Sequence, residues 1–503
     1  MNDCFLGIDN GGSVTKAVIF DVNGREIASA SEKVPMLRPH PGFTERDMEA
    51  LWQANLKVIR EVIENSKLNA DQIKGVACTG HGKGLYLWGK DDKPAYNGIV
   101  STDARAWAYP EQWEKDGTAE KVFPTTMQKP LACQPVALWR WFQDNRPEVL
   151  SQVRWIFAVK DYVRFRLTGE AWAEVTDYSG SSMMNLEEVS FDREVLQDFG
   201  VADMYDKLPP VRYSTVLCGS ITPEVASLTG LRQGISVAAG MFDIDACAVA
   251  MDVTDEKNLC VIAGTWGINE YISRQPVLNK SIKMNSLFCL PGYFLIEESS
   301  ATSASNNEWF TELFLETEKN QAQERGISIY ALTEELAASV RVDEQSILFL
   351  PFLYGSNDNP QAKACFIGLE STHTRAQIIR AVLEGIVFSH RVHIDRLLAN
   401  RDRPDAIRLA GGAVNSRTWS QIFSDVIGLP VETIDTKELG ALGCAMTASV
   451  ACGLYADLKE AARHMVRVKE RMEPDPQKKV AYDRKYALFV QASQALDGLW
   501  KTF

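Results

Sequence analysis

The feature that most restricts the fold is an apolar strand, a glycine turn and a second strand, because this order occurs in both halves of the chain. Near the start, FLGIDNGGSVTK predicts a strand over residues 5–9, a turn at two adjacent glycines and a second strand over Val14–Asp21. Near the middle, NLCVIAGTWGINEYISR repeats this order over residues 258–274. The repeat predicts two α/β domains of related plan with a cleft between them.

The first half continues with elements that are typical of a mixed sheet. A third strand is predicted at residues 26–34, a helix with apolar residues at helical spacing at 47–66, and a strand, IKGVACTG, at 73–80. Three strands joined by tight turns, then a helix and a strand, differ from a βαβ start.

The second half predicts a similar alternation of helices and strands. The segment at residues 251–258 is charged and weakly periodic, and it predicts a division into domains 1–252 and 253–503. The predicted elements after it are a helix at 375–400, the strand and turn AIRLAGGAVN, a helix at 416–428, the strand VETID and a helix from Leu439.

Composition favours a small-molecule substrate. The formal net charge of −13 opposes binding to nucleic acid or to an anionic membrane. The chain has no signal-peptide pattern and no run of about 18 uncharged apolar residues, so we expect a soluble, cytoplasmic protein. Ten cysteines without a C-x-x-C pair are predicted to be reduced core residues. His390 and His393 lie three apart on a predicted helix without a nearby acidic partner, and we interpret them as polar residues of the helix face.

The first glycine turn has the composition of an anion site. Adjacent glycines let backbone N–H groups converge on a phosphate, because no Cβ intervenes and glycine readily adopts positive φ. Asp9, at the end of the strand, is placed to hold a hydrated Mg²⁺ ion. The alternative is a hairpin whose glycines serve only the geometry of the turn. The residues predicted to bind phosphate are Gly11, Gly12, Ser13, Thr15 and Lys16.

Two further glycine turns follow apolar strands in the second half, AGTWG at residues 263–267 and AGGAVN at 410–415. No P-loop or dinucleotide-binding glycine pattern is present. With the first turn, they predict that one nucleotide is held by phosphate loops from both domains and by an adenosine turn from the second. The residues concerned are Gly264, Thr265, Gly411, Gly412 and Asn415.

These motifs, in this order, resemble the FGGY carbohydrate kinases over nearly the whole chain. IDNGGSVTK matches that family's first phosphate loop, GMFDIDACAVA its catalytic segment and AGTWG its second phosphate loop, while FIGLESTHTRAQIIRAVLEGIVF resembles its C-terminal signature and LAGGAVNSRTWSQIFSDVIGLPV its adenosine motif. The resemblance implies two related RNase H-like domains, of the actin, sugar-kinase and heat-shock ATPase group, flanking a catalytic cleft. It also implies an ATP-dependent sugar kinase that uses Mg²⁺ and forms a homodimer. Gly12 departs from the family, many of whose members carry threonine there.

The resemblance places the catalytic base at Asp243. Phosphoryl transfer to a sugar needs one carboxylate to accept the hydroxyl proton. Asp245 is the nearby competitor, and two residues apart on a strand the two acids would share a face. A structural alternative for Asp243 is the N-cap of a helix over IDACAVAM.

For the sugar, TGHGKGLYLWGKDDKP and STDARAW occupy the stretches that line the pocket in that family. The candidate substrate residues beside Asp243 are His81, Lys83, Asp103 and Arg105; taken singly, each charged one is more often a solvated surface charge. GKGLYL, S-x-D-x-R, ERDMEALWQ and LPFLYGSN resemble the L-xylulose kinase branch. We therefore expect a ketopentose such as L-xylulose as substrate.

Several alternatives stay open. A lysine in the pocket would suit either a ketose hydroxyl or a substrate carboxylate, so another ketose, a polyol or a keto-sugar acid is a competing substrate. An ATP-binding scaffold of the same fold group is the non-enzymatic alternative, and such a protein would hydrolyse ATP without added sugar.

Overall fold

The computed structural model describes residues 3–502, which divide into two compact units. The first unit comprises Met1–Thr254, Ile272–Ile296 and Thr436–Val466, and the second comprises Asp255–Tyr271, Glu297–Asp435 and Arg467–Phe503. Each unit therefore contains segments from distant parts of the chain. The sequence-based division between residues 252 and 253 stays a prediction.

The strands, in chain order, are β1 Cys4–Asn10, β2 Val14–Asp21, β3 Glu26–Lys33, β4 Glu45–Arg46, β5 Ile73–Gly80, β6 Tyr86–Gly89, β7 Gly98–Ile99, β8 Val153–Phe157, β9 Ala173–Glu174, β10 Met184–Asn185, β11 Ser190–Phe191, β12 Val211–Arg212, β13 Leu217–Ser220, β14 Ser236–Ala238, β15 Met241–Phe242, β16 Asn258–Ala263, β17 Gly267–Ser273, β18 Met284–Leu287, β19 Phe294–Ser300, β20 Leu348–Leu350, β21 Cys365–Ile367, β22 Ala406–Gly411, β23 Val431–Ile434 and β24 Val468–Met472.

The α-helices are α1 Met48–Ser66, α2 Ala108–Lys115, α3 Thr118–Thr126, α4 Pro135–Asn145, α5 Pro147–Gln152, α6 Val159–Thr168, α7 Val175–Ser179, α8 Arg193–Asp198, α9 Pro223–Thr229, α10 Asp243–Ala250, α11 Ser305–Phe314, α12 Glu316–Glu324, α13 Ile329–Ala338, α14 Arg375–Leu398, α15 Arg417–Ile427, α16 Leu439–Ala451, α17 Leu458–Met465 and α18 Pro476–Trp500. Short 3₁₀ helices cover Ala70–Gln72, Ala202–Lys207 and Gly412–Asn415.

The sheet of the first unit is mixed, as predicted. Its order is β13-β14-β5-β1-β2-β3, with β15 also paired to β5. β1 runs antiparallel to β2 and parallel to β5, and β15 runs parallel to β5. The side chain of Asp47 caps the first turn of α1 by accepting hydrogen bonds from the N–H groups of Glu49 and Ala50. Apolar residues of α1, β1 and β5 share one buried core, which includes Leu6, Ile8, Leu51, Ile59 and Val76.

The sheet of the second unit repeats this arrangement around β16. β16 is antiparallel to β17 and parallel to β22, which is parallel to β23; β24 closes this side antiparallel to β23. The predicted strand, turn and strand are thus confirmed in both halves of the chain. The predicted long helix is α14, which the side chain of Thr374 caps by accepting a hydrogen bond from the N–H group of Gln377.

Two expectations from composition can be compared with the structure. Within residues 3–502, no helix is long and apolar enough to cross a membrane. Within residues 3–502 the ten cysteines form no disulfide, as predicted, and most of them are buried. Cys452 is an exception because it is exposed.

Candidate active site

Three of the predicted site segments begin at one edge of the first sheet. In the parallel pairs, Asn10 lies opposite Gly80 and Gly80 lies opposite Phe242. The residues that follow are the first glycine turn, the loop with His81 and Lys83, and Asp243. The carboxyl ends of adjacent parallel strands are where open α/β sheets bind ligands. The strand order therefore brings together segments that are far apart in the sequence.

Asp243 and Asp245 lie on a helix, which corrects two expectations. The short strand β15 ends at Phe242, and Asp243 is the first residue of α10 rather than its N-cap. At about 100° per residue, two residues along a helix point to nearly opposite sides, so the two acids do not share a face. Asp243 is partly exposed, whereas Asp245 is fully buried and accepts a hydrogen bond of 3.1 Å from the N–H group of Cys289. The helix distinguishes the two candidates and favours Asp243 as the base.

Acidic neighbours surround Asp243. Although the residue as a whole is partly exposed, its carboxyl is enclosed by protein, and this burial is the main cause that raises its pKa well above the usual range; the charges of Asp9 and Asp177 raise the pKa further. Lys83 acts in the opposite direction. A carboxylate with a raised pKa is a stronger base, which suits proton abstraction from a sugar hydroxyl.

Sequence reasoning missed a buried charge network next to Asp243. The ammonium of Lys160 lies 3.0 Å from Asp161, 3.2 Å from Glu174 and 2.8 Å from Asp177, with all four side chains inaccessible or nearly so. The hydroxyl of Thr176 donates to Glu174 and accepts a hydrogen bond of 2.8 Å from the N–H group of Phe242. The network therefore holds the backbone immediately before Asp243. Its members are separated by up to 17 positions on different elements, so no local pattern indicates them.

The first glycine turn does not need glycine for its own geometry. Neither Gly11 nor Gly12 is among the residues with positive φ. A Cβ at Gly12 would meet nothing within 4 Å, and one at Gly11 would lie 3.4 Å from the carbonyl oxygen of Val14. The expectation that these glycines supply positive φ is therefore wrong. The alternative, that these glycines serve only the geometry of the turn, is weakened as well, because the turn could accept a side chain at both positions.

The polar residues around this turn differ in exposure and in their hydrogen-bond and ion-pair partners. Ser13 is exposed, but Thr15 is fully buried and its hydroxyl donates to the side chain of Asn10 at 2.5 Å. The ammonium of Lys16 lies 2.8 Å from a carboxylate oxygen of Glu438, which precedes α16. Phosphate contacts by Thr15 and Lys16 require these two interactions to open, and both roles stay predictions.

Asp9 has the environment of a cation ligand. Burial raises the pKa of its carboxyl to about 6; Lys16 opposes the rise and Glu438 adds to it. A Cβ at Gly440, in the first turn of α16, would lie 2.7 Å from a carboxylate oxygen of Asp9, so this glycine makes room for the carboxylate. Within residues 3–502, no cluster of three or more His, Cys, Asp and Glu side chains forms a metal site. A role for Asp9 in holding a hydrated Mg²⁺ ion stays a prediction.

His81 and Lys83 follow β5 at the same edge. Burial, reinforced by the charge of Arg46, lowers the pKa of His81 to about 3, so its ring is neutral. The ring contacts the hydroxyl of Tyr86 at 3.0 Å and the carbonyl oxygen of Gly82 at 3.2 Å. Lys83 has a positive φ of 61°, which is uncommon for a residue with a side chain, and its ammonium lies 5.6 Å from the centre of the Phe242 ring. The fold thus brings Lys83, but not a charged histidine, to the surroundings of Asp243.

Asp103 and Arg105 form a buried ion pair, so interpreting them as solvated surface charges is wrong. The guanidinium of Arg105 binds both carboxylate oxygens of Asp103, at 2.9 and 2.8 Å, and a carboxylate oxygen of Glu45 at 2.8 Å. It also stacks on Phe43, 4.0 Å from the ring centre. One guanidinium nitrogen of Arg105, Nη1, is buried without a hydrogen-bond partner within residues 3–502. Contacts between this pair and a sugar stay predictions.

In the second unit, the two other glycine turns are adjacent. Ala263 pairs with Gly411 in the parallel strands β16 and β22, so both turns leave the same sheet edge. Gly412, Thr265 and Asn415 are exposed there. The two turns use glycine for different reasons. Gly411 has φ 86° and ψ −161°, whereas a Cβ at Gly264 would meet no atom closer than 3.6 Å. Of these two glycines, Gly411 is required by the fold and Gly264 is not, and contacts of either one with a nucleotide stay predictions.

The histidine pair on α14 belongs to the core of the second unit. His393 lies 2.9 Å from a carboxylate oxygen of Glu298, so the expected lack of an acidic partner is wrong. His390 contacts Ser303 and Asn269, each at 2.7 Å. A cavity of about 200 Å³ lies beside His393, and no predicted site residue lines it. The lining includes Thr302, Phe352, Ser389, Arg396 and Phe489.

Comparison with known proteins agrees with this geometry. Residues 4–250 match the N-terminal domain of the FGGY family of carbohydrate kinases, and residues 259–452 match its C-terminal domain. The chain belongs to this family. As an FGGY carbohydrate kinase, it is a phosphotransferase that uses ATP and acts on a small sugar, so the scaffold alternative is excluded.

Relatives match the whole length of this FGGY kinase. It is 35% identical over 499 residues to L-xylulose/3-keto-L-gulonate kinase of Escherichia coli strain K12, covering 99% of this chain and 98% of that protein. It is 34% identical over 499 residues to a probable L-xylulose kinase of Pasteurella multocida strain Pm70, covering 98% and 99%. The structure of ligand-bound xylulose kinase from Lactobacillus acidophilus matches with a TM-score of 0.90 at 22% identity, covering 100% of both chains. The predicted fold class is confirmed.

Proposed function

We propose that this kinase phosphorylates a ketose, L-xylulose or a keto-sugar acid such as 3-keto-L-gulonate, with Asp243 as the general base. The relatives whose names carry these substrates match the chain from end to end. The observation that carries the assignment of the base is the position of Asp243: partly exposed, first in its helix, and at the sheet edge that also carries the first glycine turn and Lys83.

In the proposed step, Asp243 accepts the proton of the sugar hydroxyl while the bond between that oxygen and the γ-phosphorus of ATP forms. The bond between the γ-phosphorus and the bridging oxygen of ADP breaks, and the proton later passes from Asp243 to solvent. The raised pKa of Asp243 supports its role as acceptor. Lys83 keeps this acid from being protonated too readily, because its charge lowers the pKa of Asp243.

Three glycine turns are proposed to hold the nucleotide. The exposed backbone at Gly12 and Ser13 serves the phosphates from the first unit, while Gly264 and Thr265 serve them from the second. Gly411, Gly412 and Asn415 are proposed to contact the adenosine. A Mg²⁺ ion held through water by Asp9 would neutralise charge that develops on the phosphates. The homodimer that the family resemblance implies belongs to this proposal as well, and light scattering after size-exclusion chromatography measures it.

A coupled ADP-release assay over ketopentoses, aldoses, polyols and sugar acids tests the substrate. We expect the highest kcat/KM with a ketose or a keto-sugar acid. A polyol or an aldose as the best substrate would contradict the proposal.

Matched variants test the base. Asp243→Asn is expected to lower kcat by about 100-fold or more while nucleotide binding persists, because a positioned base contributes on this scale. Asp245→Asn is the control, since the buried carboxylate of Asp245 accepts a backbone hydrogen bond. We expect it to lower the melting temperature and to change kcat by less than about tenfold. The reverse result would move the base to Asp245.

A further inference from the structure

Arg46 carries a buried positive charge that pairs with no acidic side chain in the part of the chain that the structure describes. It lies in the short strand β4 and is fully inaccessible to solvent. Within residues 3–502, Arg46 forms no ion pair, and its Nε and Nη1 atoms are buried without a hydrogen-bond partner. A buried guanidinium is normally paired, because removal of a charge from water is strongly unfavourable. The missing partner must therefore be sought outside the protein chain.

The remaining nitrogen of Arg46 identifies where that partner binds. Nη2 donates to the carbonyl oxygen of Gly11 at 3.2 Å and also to the carbonyl oxygen of Gly12. In a planar trans peptide, the C=O and N–H groups point in opposite directions. With both carbonyls directed toward Arg46, the N–H groups of Gly12 and Ser13 point away from it.

These two N–H groups are available to a ligand. Gly12 and Ser13 are exposed, and neither backbone N–H donates to another residue in the part of the chain that the structure describes. Successive N–H groups that point outward from a turn form an anion-binding nest. Since the turn does not need its glycines for geometry, an approaching anion accounts for them.

We propose that Arg46 is a positioning residue that orients the first glycine turn and supplies the buried countercharge for an oxyanion bound on the opposite, N–H side of that turn. This rests on the proposed function, under which two oxyanions reach the turn: a phosphate of the nucleotide or the carboxylate of a sugar-acid substrate. Arg46 acts through the peptide groups of the turn, since its own atoms are inaccessible. The ammonium of Lys16, on the strand that follows the turn, is instead held by Glu438.

The test compares Arg46→Met with Arg46→Lys. Methionine removes the charge but keeps an unbranched apolar side chain, whereas lysine keeps the charge and one donor group. Without ligand, Arg46→Met is expected to melt at the same temperature as the parent or higher, because a buried unpaired charge is replaced by an apolar group. With MgADP as the probe, the ligand-induced rise in melting temperature is expected to fall sharply if the bound oxyanion is a phosphate, and to stay as in the parent if it is the substrate carboxylate.

Kinetics distinguish the two oxyanions. If the oxyanion is a phosphate, Arg46→Met raises the KM for ATP about tenfold or more, and the KM for L-xylulose changes less than about twofold. A turn that loses its orientation loses one hydrogen bond from its N–H groups to the anion, and a hydrogen bond to a charged group has this scale. If the oxyanion is the substrate carboxylate, Arg46→Met raises the KM for 3-keto-L-gulonate instead, and the KM values for ATP and L-xylulose stay unchanged. In either case Arg46→Lys recovers most of the loss.

Two outcomes overturn the inference. One is an Arg46→Met variant with unchanged KM values for ATP and for both sugars. The other is a lower melting temperature without ligand together with parallel changes in all KM values, which is what a purely structural arginine would give. Failure of the proposed function is recognised separately, because the parent enzyme would then release no ADP with either sugar while the MgADP melting shift is still measurable.

Discussion

Alanine at Gly264 and at Gly411 separates a ligand-binding glycine from a folding glycine. The two residues follow neighbouring parallel strands at one edge of the second sheet. The proposed function assigns both of them to the nucleotide. The structure nevertheless predicts opposite results for stability, because only one of the two backbones is restricted to glycine.

At Gly411, the backbone itself excludes a side chain. Its φ of 86° and ψ of −161° fall in a region that essentially only glycine adopts, and alanine there costs about 1–3 kcal/mol. The new Cβ would also overlap the carbonyl oxygen of Ala263 and lie 2.8 Å from the backbone nitrogen of Gly264. Since 1 kcal/mol shifts the melting temperature of a domain of 150–250 residues by roughly 2–4 °C, Gly411→Ala should melt several degrees lower. Any change in its ATP kinetics would be confounded by this loss.

At Gly264, the fold accepts a methyl group. A Cβ would lie 3.6 Å from the carbonyl oxygen of Trp266 and 3.8 Å from a methyl carbon of Ile262, which are ordinary contacts. Gly264→Ala should therefore melt at the same temperature as the parent or slightly higher, since alanine reduces the entropy of the unfolded chain by about 0.4–1 kcal/mol. A Cβ that displaces the phosphate from one backbone N–H removes a hydrogen bond to a charged group, worth about 1.5–3 kcal/mol. The KM for ATP should rise roughly 10- to 100-fold.

Differential scanning fluorimetry and ATP titration at saturating sugar measure both effects. Gly498→Ala is the control, because a Cβ at this glycine of α18 meets nothing within 4 Å and the position lies outside the proposed site. It should raise stability slightly and leave the KM for ATP unchanged. A stable Gly264→Ala enzyme with an unchanged KM for ATP would refute the phosphate-loop assignment of AGTWG.

Two further predictions concern charge. On acidification, kcat/KM should fall at a higher pH than an ordinary carboxylate would give, because the raised pKa of Asp243 means that its basic form is lost earlier as the pH falls. Lys83→Met should move this acidic limb of the pH–rate profile to still higher pH, because the charge of Lys83 lowers the pKa of Asp243. An acidic limb that does not move in Lys83→Met would contradict this electrostatic coupling. Glu438→Gln should release Lys16 and lower the KM for ATP by roughly two- to fivefold, on the scale of a partly exposed ion pair, and Lys16→Met should abolish this gain in a double-variant cycle.

Local patterns were sufficient to predict the strands and turns. The apolar runs around Gly11 and Gly264 predicted β1, β2, β16 and β17 within a residue or two, because a buried strand needs a continuous apolar segment and a turn ends it. The helix from Asp47 was equally clear, since an acidic cap precedes regularly spaced apolar residues. The assignment to a sugar kinase came from the order of the motifs and was confirmed by comparison.

Side-chain partners could not be predicted, because they come from distant positions. Glu298, which pairs with His393, is 95 residues away, and Glu45, which pairs with Arg105, is 60 residues away. The i, i+2 spacing of Asp103 and Arg105 did not indicate that the two side chains would be buried, with the carboxylate accepting two hydrogen bonds from the guanidinium. The environment of Asp243 was predicted incorrectly for a local reason: a two-residue strand ends at Phe242 and a helix begins at the next residue, a change too short for periodicity to detect.

The charges of the first unit indicate what its sheet edge is built to receive. On one side, the charge of Asp9 raises the pKa of Asp243, and the charges of Lys83 and Lys16 oppose the rise at Asp243 and at Asp9 respectively. On the other side, the guanidinium of Arg46 lies behind a turn whose outward N–H groups donate to no other residue within residues 3–502. Under the proposed function, a ligand that carries both signs, a phosphate with its magnesium ion, would satisfy both sides at once, because the oxyanion would meet the N–H groups and the metal would meet Asp9. Neither component alone does so, and we infer that the free nucleotide without the metal binds this unit weakly.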